Sequence, residues 1–334
     1  MDSVWLPLSL PAKFYDDRIM LLEISIGPND AGQRAERFLR RYLPHVGLSR
    51  LQSLFRRKEI KVSKRAVERG HLLQPGDLLQ VYGLKPEEAK RPDPVHSSLL
   101  VGGPIPSVYE DDEILVVNKP AGVASHPGTG IAPGASLIER VQAQLGALEQ
   151  WSGELFSPSL VHRLDKDTSG VLLVAKTGAR LRSLVAALRE GEIRKKYLAL
   201  VVGHPKPASG TIDAPLERED NASGAKSVVA EDGGRRAVTR YRTVKKLGDY
   251  ALLEVAIETG RMHQIRAHLA HLGHPLVGDT RYAKPAEARE HMRGLGLKRM
   301  FLHAEEVSWN EDGALQTFTA PLPEELQRVI SFPH

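Results

Sequence analysis

Short apolar runs, each ended by glycine, proline or charged residues, constrain the fold of this chain more than any other feature of its sequence. Runs of about four to eight residues rich in valine, isoleucine and leucine are typical of strands, whereas helices need longer periodic segments. Both kinds of segment alternate along the chain, so the sequence predicts an α+β fold. The predicted strands are Ile114–Asn118, Val171–Ala175, Tyr197–Val202, Val238–Val244 and Ala251–Ile257.

Two segments between and after these runs place apolar residues at helical spacing. They are Arg180–Glu190 and His263–Leu272, and a glycine that can end the helix follows each of them. By contrast, residues 217–236 are polar and rich in glycine and aspartate. This composition predicts a mobile loop or an insertion that could close on a ligand.

A smaller module precedes these elements. It contains a predicted strand in LLEISI, two predicted helices, Arg34–Tyr42 and Ser49–Lys58, and strand segments in EIKVSKRAV and LLQPGDLLQVY. Ser49 is predicted to cap the second helix. Five prolines then predict an extended linker. The predicted organisation is a first domain at 21–85, a linker at 86–106 and a second domain at 107–330.

Positive charge is concentrated in this first module. The whole chain has a net charge of +5, but between Ala31 and Lys85 thirteen basic residues face only four acidic ones. A solvated helix end would explain some of these cations. Their number around the second helix favours contact with RNA, which is a polyanion. The residues predicted to bind RNA here are Arg50, Arg56, Arg57, Lys58 and Lys61.

The sequence contains no cysteine, which excludes disulfides and thiolate chemistry. The start, MDSVWLPLSLPAKF, has no basic residues before its apolar ones and is interrupted by Pro7 and Pro11, unlike a signal peptide. No apolar run is long enough to span a membrane. We therefore expect a cytoplasmic protein without membrane contact.

Four segments hold the candidates for chemistry. In VHRLDKDTSGVLLVAK, Asp165 lies in a charged loop just before a buried strand, where its side chain can project into a cleft. In IRKKYLALVV, Tyr197 enters an apolar strand, and core packing is the alternative role. In TGRMHQIRAHL, Arg266 flanks the apolar face of a helix and can reach an inward-facing carboxylate. In VVNKPAGVASHPGTG, Lys119 could meet a phosphate, and a structural turn is an equal alternative.

A histidine cluster follows the last of these segments. His263, His268, His271 and His274 lie close in sequence, but no HExxH motif or second ligand group accompanies them. We expect no metal site and assign these side chains to packing or RNA contact, which leaves a metal hydrolase as a weak alternative. No phosphate-binding loop, dinucleotide loop or serine nucleophile elbow is present, so no cofactor is expected.

The segments HRLDKDTSGVLLVAK, NKPAGVASHPG, RKKYLALV and TGRMHQIRAHLAHLGHPLVGDTRYA together resemble the catalytic domain of the pseudouridine synthases that modify large-subunit ribosomal RNA. DAGQRAERFLRRYL and LKRMFLHAEEVSW are most similar to the type called C, and HPLVGD to the type called D. The first module resembles the S-four-like RNA-binding domain of many of these enzymes. The resemblance implies a mixed, largely antiparallel sheet with flanking helices, preceded by a small α/β RNA-binding domain.

The resemblance also implies a role for each candidate residue. Asp165 of HRLD is the expected nucleophile, and Arg266 is expected to pair with it. Tyr197 is expected to stack on the uracil ring of a uridine flipped out of the RNA. Arg163 is expected to insert into the gap that the flipped uridine leaves.

The sequence leaves three questions open. Asp165 could attack the sugar, attack uracil carbon 6 or act as a base on the sugar. Large-subunit ribosomal RNA is the expected substrate and tRNA the alternative, and the chain is expected to act as a monomer. A non-catalytic RNA-binding factor for ribosome assembly is the alternative to an enzyme, and the intact set of Asp165, Tyr197 and Arg266 argues against it.

Overall fold

The computed structural model describes residues 13–14, 20–89, 102–146, 156–221 and 224–331 of the 334-residue chain. Two compact units are present. The described residues within 1–100, 141–159 and 175–182 form the first unit, and those within 101–140, 160–174 and 183–334 form the second. Most of the predicted linker at 86–106 lies outside the described residues.

The N-terminal part of the first unit is a small sheet with two helices. Its elements are β1 (Lys13–Phe14), β2 (Met20–Ser25), α1 (Ala35–Tyr42), α2 (Leu48–Arg56), β3 (Ile60–Val62), β4 (Arg65–Ala66) and β5 (Leu78–Leu84). The strands pair antiparallel in the order β1-β2-β5-β3-β4. Buried side chains from the helices and strands, including Phe38, Leu54 and Val81, form one apolar core.

The start of α2 differs from the prediction. The helix begins at Leu48, with Gly47 as its N-cap residue, and no side chain caps it. Ser49 therefore lies inside the first turn of the helix rather than before it. The predicted cap was wrong because the chain turns into the helix at Gly47, two residues earlier than expected.

A larger mixed sheet provides the framework of the second unit. Its strands are β6 (Ser107–Glu110), β7 (Ile114–Lys119), β8 (Ser159–Leu160), β9 (Ser169–Ala175), β10 (Arg194–Val202), β11 (Ser209–Asp213), β14 (Val238–Leu247), β15 (Tyr250–Ile257), β16 (Leu302–Glu311) and β17 (Ala314–Thr319). The main order is β11-β14-β15-β10-β16-β9-β7-β6, with β17 beside β16 and β8 beside β9. Strands β9 and β16 pair in parallel, whereas β10, for example, is antiparallel to both of its neighbours. The predicted mixed sheet is confirmed.

The remaining helices lie between and after these strands. They are α3 (Leu137–Gln144), α4 (Gly178–Glu190), α5 (Gln264–His271), α6 (Pro285–Leu295) and α7 (Glu324–Ser331). Leu200 and Leu252 of the sheet pack with Phe301 and with Leu326 of α7 in one apolar cluster. Within the described residues, no helix has the length and apolar character needed to cross a membrane.

The segment predicted as a mobile loop forms a β-hairpin instead. Strands β12 (Leu216–Asn221) and β13 (Gly224–Val229) pair antiparallel over their full length. The backbone N–H of Ser227 donates to the hydroxyl of Tyr282 at 2.8 Å, and the Ser227 hydroxyl donates to the carbonyl of Met262 at 2.6 Å. The prediction of a mobile loop was therefore wrong for the part of 217–236 that forms this hairpin, because its backbone groups pair with each other in the ladder. The alternative prediction, an insertion that could close on a ligand, stays a prediction.

Candidate active site

The site lies in a cavity of about 460 Å³ in the second unit. The loop before β9 contributes one side of it, β10 contributes a second, and the segment from β15 into α5 contributes a third. Asp165, Tyr197 and Arg266, the three candidates for catalysis, all line this cavity. The structure therefore brings together residues that are far apart in sequence.

Asp165 is positioned by a rigid neighbour. All seven residues of β9 are buried, so the loop that precedes this strand is anchored at its end. The Asp165 side chain is only 17% exposed, and its Oδ2 accepts a hydrogen bond from Nη1 of Arg266 at 3.0 Å. A carboxylate held in this way has little freedom to rotate and faces the cavity.

Arg266 joins two carboxylates. Besides its bond to Asp165, its Nε and Nη2 donate to the two oxygens of Asp279 at 2.7 and 2.9 Å. Burial alone would lower the pKa of Arg266, but the hydrogen bonds and charges of Asp279 and Asp165 outweigh burial and raise it. The Asp279 side chain is fully buried, so its ion pair with Arg266 is needed to offset the free-energy cost of removing this carboxylate from water.

The start of α5 fixes the direction of Arg266. Gln264 is buried, and its amide nitrogen donates to the Val238 carbonyl at 2.9 Å and to the Thr239 hydroxyl at 3.0 Å. Its amide oxygen accepts from the Thr259 hydroxyl and from the Arg261 backbone N–H. These bonds tie the first turn of α5 to β14, so that Arg266 points toward Asp165.

Strand β10 presents two polar side chains to the cavity. Tyr197 and Lys195 lie two residues apart on one face of the strand, and both are buried. Burial and the negative charge of Asp165 raise the pKa of Tyr197, so its hydroxyl stays neutral. Burial lowers the pKa of Lys195 to about 8. The period of two along a strand could have identified Lys195 once Tyr197 was assigned to the site.

Arg163 is exposed and lines the same cavity. It lies two residues before Asp165 in the same loop. This position is compatible with an arginine that reaches out of the cavity toward bound RNA, which stays a prediction.

Lys119 does not fit its predicted contact with phosphate. Its side chain is fully buried, and its Nζ donates to the carbonyls of Pro120, Val123 and Lys166 at 2.9, 2.8 and 3.0 Å. Burial lowers the pKa of Lys119 to about 7, against the opposing charges of Asp167 and Asp165. The three carbonyls account for all three donors of the ammonium, so Lys119 serves as a brace behind the Asp165 loop.

Replacing this brace is expected to destabilise the fold. Lys119→Met would leave the carbonyls of Pro120 and Val123 without this donor. The Lys166 carbonyl keeps a bond from the Gly122 N–H at 2.8 Å. We expect a cost of about 2–5 kcal/mol in the free energy of unfolding. Lys196→Met, which removes a half-buried lysine with contacts to Glu305 and Glu306, is the control and is expected to cost less than about 1 kcal/mol. Urea unfolding measures both, and equal effects would contradict the bracing role.

Three of the four clustered histidines form hydrogen bonds within the fold, and His271 is exposed. His268 bonds to the Thr239 hydroxyl and to the Ala214 carbonyl, and His274 bonds to the Val202 carbonyl. His263 also lies beside the candidate carboxylate, with its Nε2 3.8 Å from Oδ2 of Asp165. Among the residues that the structure describes, no group of three or more histidine, aspartate and glutamate side chains is arranged to hold a metal.

The predicted RNA-binding residues of the first unit fall into two groups. Arg56, Arg57 and Lys58 are exposed at the end of α2. Arg50 is half-buried, because its guanidinium donates to the carbonyl of Gly83 at 2.5 Å and to Glu88 at 3.3 Å. Lys61 lies 4.6 Å above the ring of Tyr82. Arg50 is thus engaged within its own unit, which argues against a primary RNA contact for it.

Asp279 and Tyr282, like Lys195, were not predicted as residues of the site. The sequence signal for Asp279 was the carboxylate in HPLVGD after a buried segment, close behind the helix of Arg266. Tyr282 lies with its ring 5.1 Å from the guanidinium carbon of Arg266 and bonds to His263. Neither contact could be read from local spacing.

Comparison of the sequence with known proteins identifies relatives of this chain. Residues 113–271 match the family model described as RNA pseudouridylate synthase. Ribosomal large subunit pseudouridine synthase C of Salmonella typhi is 36% identical over 92% of this chain and 95% of its own length. An uncharacterized RNA pseudouridine synthase of Chloroflexus aurantiacus is 40% identical over 92% of both chains.

Solved structures give the same result for the fold. Human RNA Pseudouridylate Synthase Domain Containing 1 superimposes with a TM-score of 0.52 and 26% identity, over 69% of this chain and 86% of its own. Human RNA Pseudouridylate Synthase Domain Containing 4 superimposes with a TM-score of 0.55 and 24% identity, over 67% and 91%.

Proposed function

As a member of the RNA pseudouridylate synthase family, this chain is an isomerase of RNA uridines, and we propose that large-subunit ribosomal RNA is its substrate and Asp165 its reactive carboxylate. The observation that carries the residue assignment is the contact of Asp165 with Arg266 inside a cavity that also holds Tyr197. The substrate proposal rests on the relatives of type C, which match this chain over nearly its full length.

The reaction breaks the bond between ribose C1′ and uracil N1, and a new bond then forms between C1′ and uracil C5. The C5 hydrogen leaves as a proton, and N1 takes up a proton, so atoms and electrons balance without an oxidant or a donor of a chemical group. A carboxylate that attacks C1′, attacks uracil carbon 6 or accepts a proton from the sugar would serve each of the three open routes.

Each residue of the cavity has a separate proposed role in this reaction. The Arg266 guanidinium holds the Asp165 carboxylate in place before the substrate enters, so little reorganisation is needed during the reaction. We propose that the Tyr197 ring stacks on the flipped uracil and that Arg163 fills the place it leaves. The buried Lys195 ammonium lies on the same face as Tyr197, where positive charge would favour the uracil anion that bond cleavage produces.

The first domain, at 21–85, is proposed to be the S-four-like module that holds the RNA. Its exposed cations at the end of α2 support this proposal. The monomeric state, the cytoplasmic location and the domain boundaries stay predictions.

Tritium release from carbon 5 of labelled uridine tests the proposed function. Protein-free large-subunit ribosomal RNA and bulk tRNA are the two substrates, with wild-type protein. Release from the ribosomal RNA alone is the expected result. Release from tRNA alone would keep the chemistry and overturn the substrate, and release from neither would favour an RNA-binding factor.

A change in the first module is expected to alter the salt dependence of RNA binding. The triple variant Arg56→Gln/Arg57→Gln/Lys58→Gln removes three exposed charges and should reduce the slope of log Kd against log salt by about 2. The matched control is Lys284→Gln/Arg328→Gln, which removes exposed charges of the second unit that already pair with Glu287 and Glu324. Filter binding at several salt concentrations measures both, and equal slopes in all proteins would place RNA contact elsewhere.

A further inference from the structure

His263 occupies an unusual position beside the proposed reactive carboxylate. It is the N-cap residue of α5 and has a left-handed backbone, with φ at 52°. Non-glycine residues rarely adopt this conformation, and they do so mostly where the surrounding structure holds them. Here the backbone turn directs the imidazole toward Asp165, with Nε2 at 3.8 Å from Oδ2.

The other ring nitrogen of His263 is held by Tyr282. The distance from Nδ1 to the tyrosine oxygen is 3.1 Å, and the two rings meet edge to face with their centroids 5.7 Å apart. The same tyrosine oxygen accepts the backbone N–H of Ser227 in β13 at 2.8 Å. The chain of contacts therefore runs from Ser227 through Tyr282 and His263 to Asp165.

The protonation of His263 follows from its neighbours. The pKa of His263 is lowered to about 4, chiefly by burial; the charges of Asp165 and Asp279 oppose this shift, and those of Arg266 and Arg281 add to it. The ring is therefore neutral near pH 7 and carries one proton. A carboxylate only accepts hydrogen bonds, so a bare Nε2 facing Asp165 would set lone pairs against each other. A proton on Nε2 removes this repulsion and leaves Nδ1 to accept the hydroxyl proton of Tyr282.

We propose that His263 is a positioning residue for Asp165, that its Nε2–H faces the carboxylate, and that Tyr282 and the β12–β13 hairpin fix this tautomer. The hairpin then acts on the reactive carboxylate without touching it, since Ser227 determines which way the Tyr282 hydroxyl proton points. This inference rests on the proposed function of Asp165, but the tautomer itself does not depend on turnover.

The tautomer can be observed directly. Long-range ¹H–¹⁵N spectra of the full chain distinguish a protonated ring nitrogen from a bare one, and the spectrum of His263→Gln identifies the signals of His263 among the thirteen histidines. At pH 7 we expect Nε2 protonated and Nδ1 bare, and a mixture of tautomers in Tyr282→Phe. A proton on Nδ1 in the wild type would overturn the proposal.

Kinetics give a second, separate readout. Tyr282→Phe keeps the ring over Arg266 and loses only the hydroxyl, and we expect kcat to fall about tenfold with KM within about twofold. Tyr241→Phe is the matched control, because it loses a hydroxyl that bonds to the Pro207 carbonyl outside the cavity. Equal kcat in the two variants would overturn the proposal.

Variants of His263 separate positioning from packing. Gln places an amide N–H near the position of Nε2, so His263→Gln should retain at least about a tenth of kcat, whereas His263→Leu should lose about a hundredfold. Equal losses in both would contradict the role of the N–H. If wild-type protein shows no turnover at all, the proposed function fails, and the spectra still decide the tautomer.

Discussion

Asp165→Asn is expected to abolish pseudouridine formation, with a loss of at least about 10⁴-fold in kcat, while RNA affinity stays within a few fold. The carboxamide has nearly the same shape, and its oxygen can still accept the bond from Arg266. It carries no negative charge, however, and is a poor nucleophile and a poor base. RNA affinity is expected to survive because the cations of the protein, rather than this 17% exposed carboxylate, provide most of the attraction.

Asp167→Asn is the matched control for this variant. Asp167 is an exposed carboxylate in the same loop, two residues from Asp165, so it tests whether loss of a nearby charge is enough. We expect turnover within about threefold of wild type for it, because its side chain is outside the cavity. Tritium release measures both variants, and an active Asp165→Asn enzyme would rule out the assignment of the reactive group.

Arg266→Gln is expected to show the largest combined loss of stability and activity. Without the guanidinium, Asp165 and the fully buried Asp279 both lose the cation that pairs with them. This loss should lower the free energy of unfolding by about 3–5 kcal/mol. Turnover should fall by about a hundredfold or more, because the reactive carboxylate is no longer held. Urea unfolding and tritium release measure the two effects.

A second substitution separates these two effects. In Arg266→Gln/Asp279→Asn the buried charge is removed as well, so part of the stability should return while turnover stays low. Arg242→Gln is the surface control, because this arginine also pairs with a carboxylate, Glu254, but is 61% exposed, and it should cost less than about 1 kcal/mol. If the double variant regained turnover together with stability, Arg266 would have only a structural role.

Local patterns predicted the strands and the reactive loop well. The runs at 114–118, 171–175 and 197–202 are strands in the structure, because aliphatic residues in short blocks must be buried and a sheet buries them on both faces. The charged loop before the second of these runs could be assigned to a cleft on the same grounds. Helices α4 and α5 begin within two residues of the predicted positions.

The parts that escaped prediction depend on contacts between distant residues. Lys119 was predicted to meet a phosphate, with a structural turn as the alternative. Lysine is almost never fully buried, and the three carbonyls that make its burial possible come in part from a residue distant along the chain. Most of β12 is polar, and the larger apolar residues lie only at the outer ends of the hairpin β12–β13, such as Leu216 and Val229, so the sequence offers a weak strand signal. Strand propensity also depends strongly on what the strand pairs with. The contacts of Asp279 and Tyr282 exist only once α5 has been placed beside the Asp165 loop.

The hydrogen bond from Arg266 also makes the two carboxylate oxygens of Asp165 different from each other. In a free aspartate in water these atoms are interchangeable, and rotation about the bond to the carboxyl carbon exchanges them rapidly. Here the guanidinium and the imidazole both approach Oδ2, which leaves Oδ1 as the atom with the more available lone pairs. Each catalytic cycle would then begin from the same oxygen, and the enzyme would treat a symmetric group as an asymmetric one.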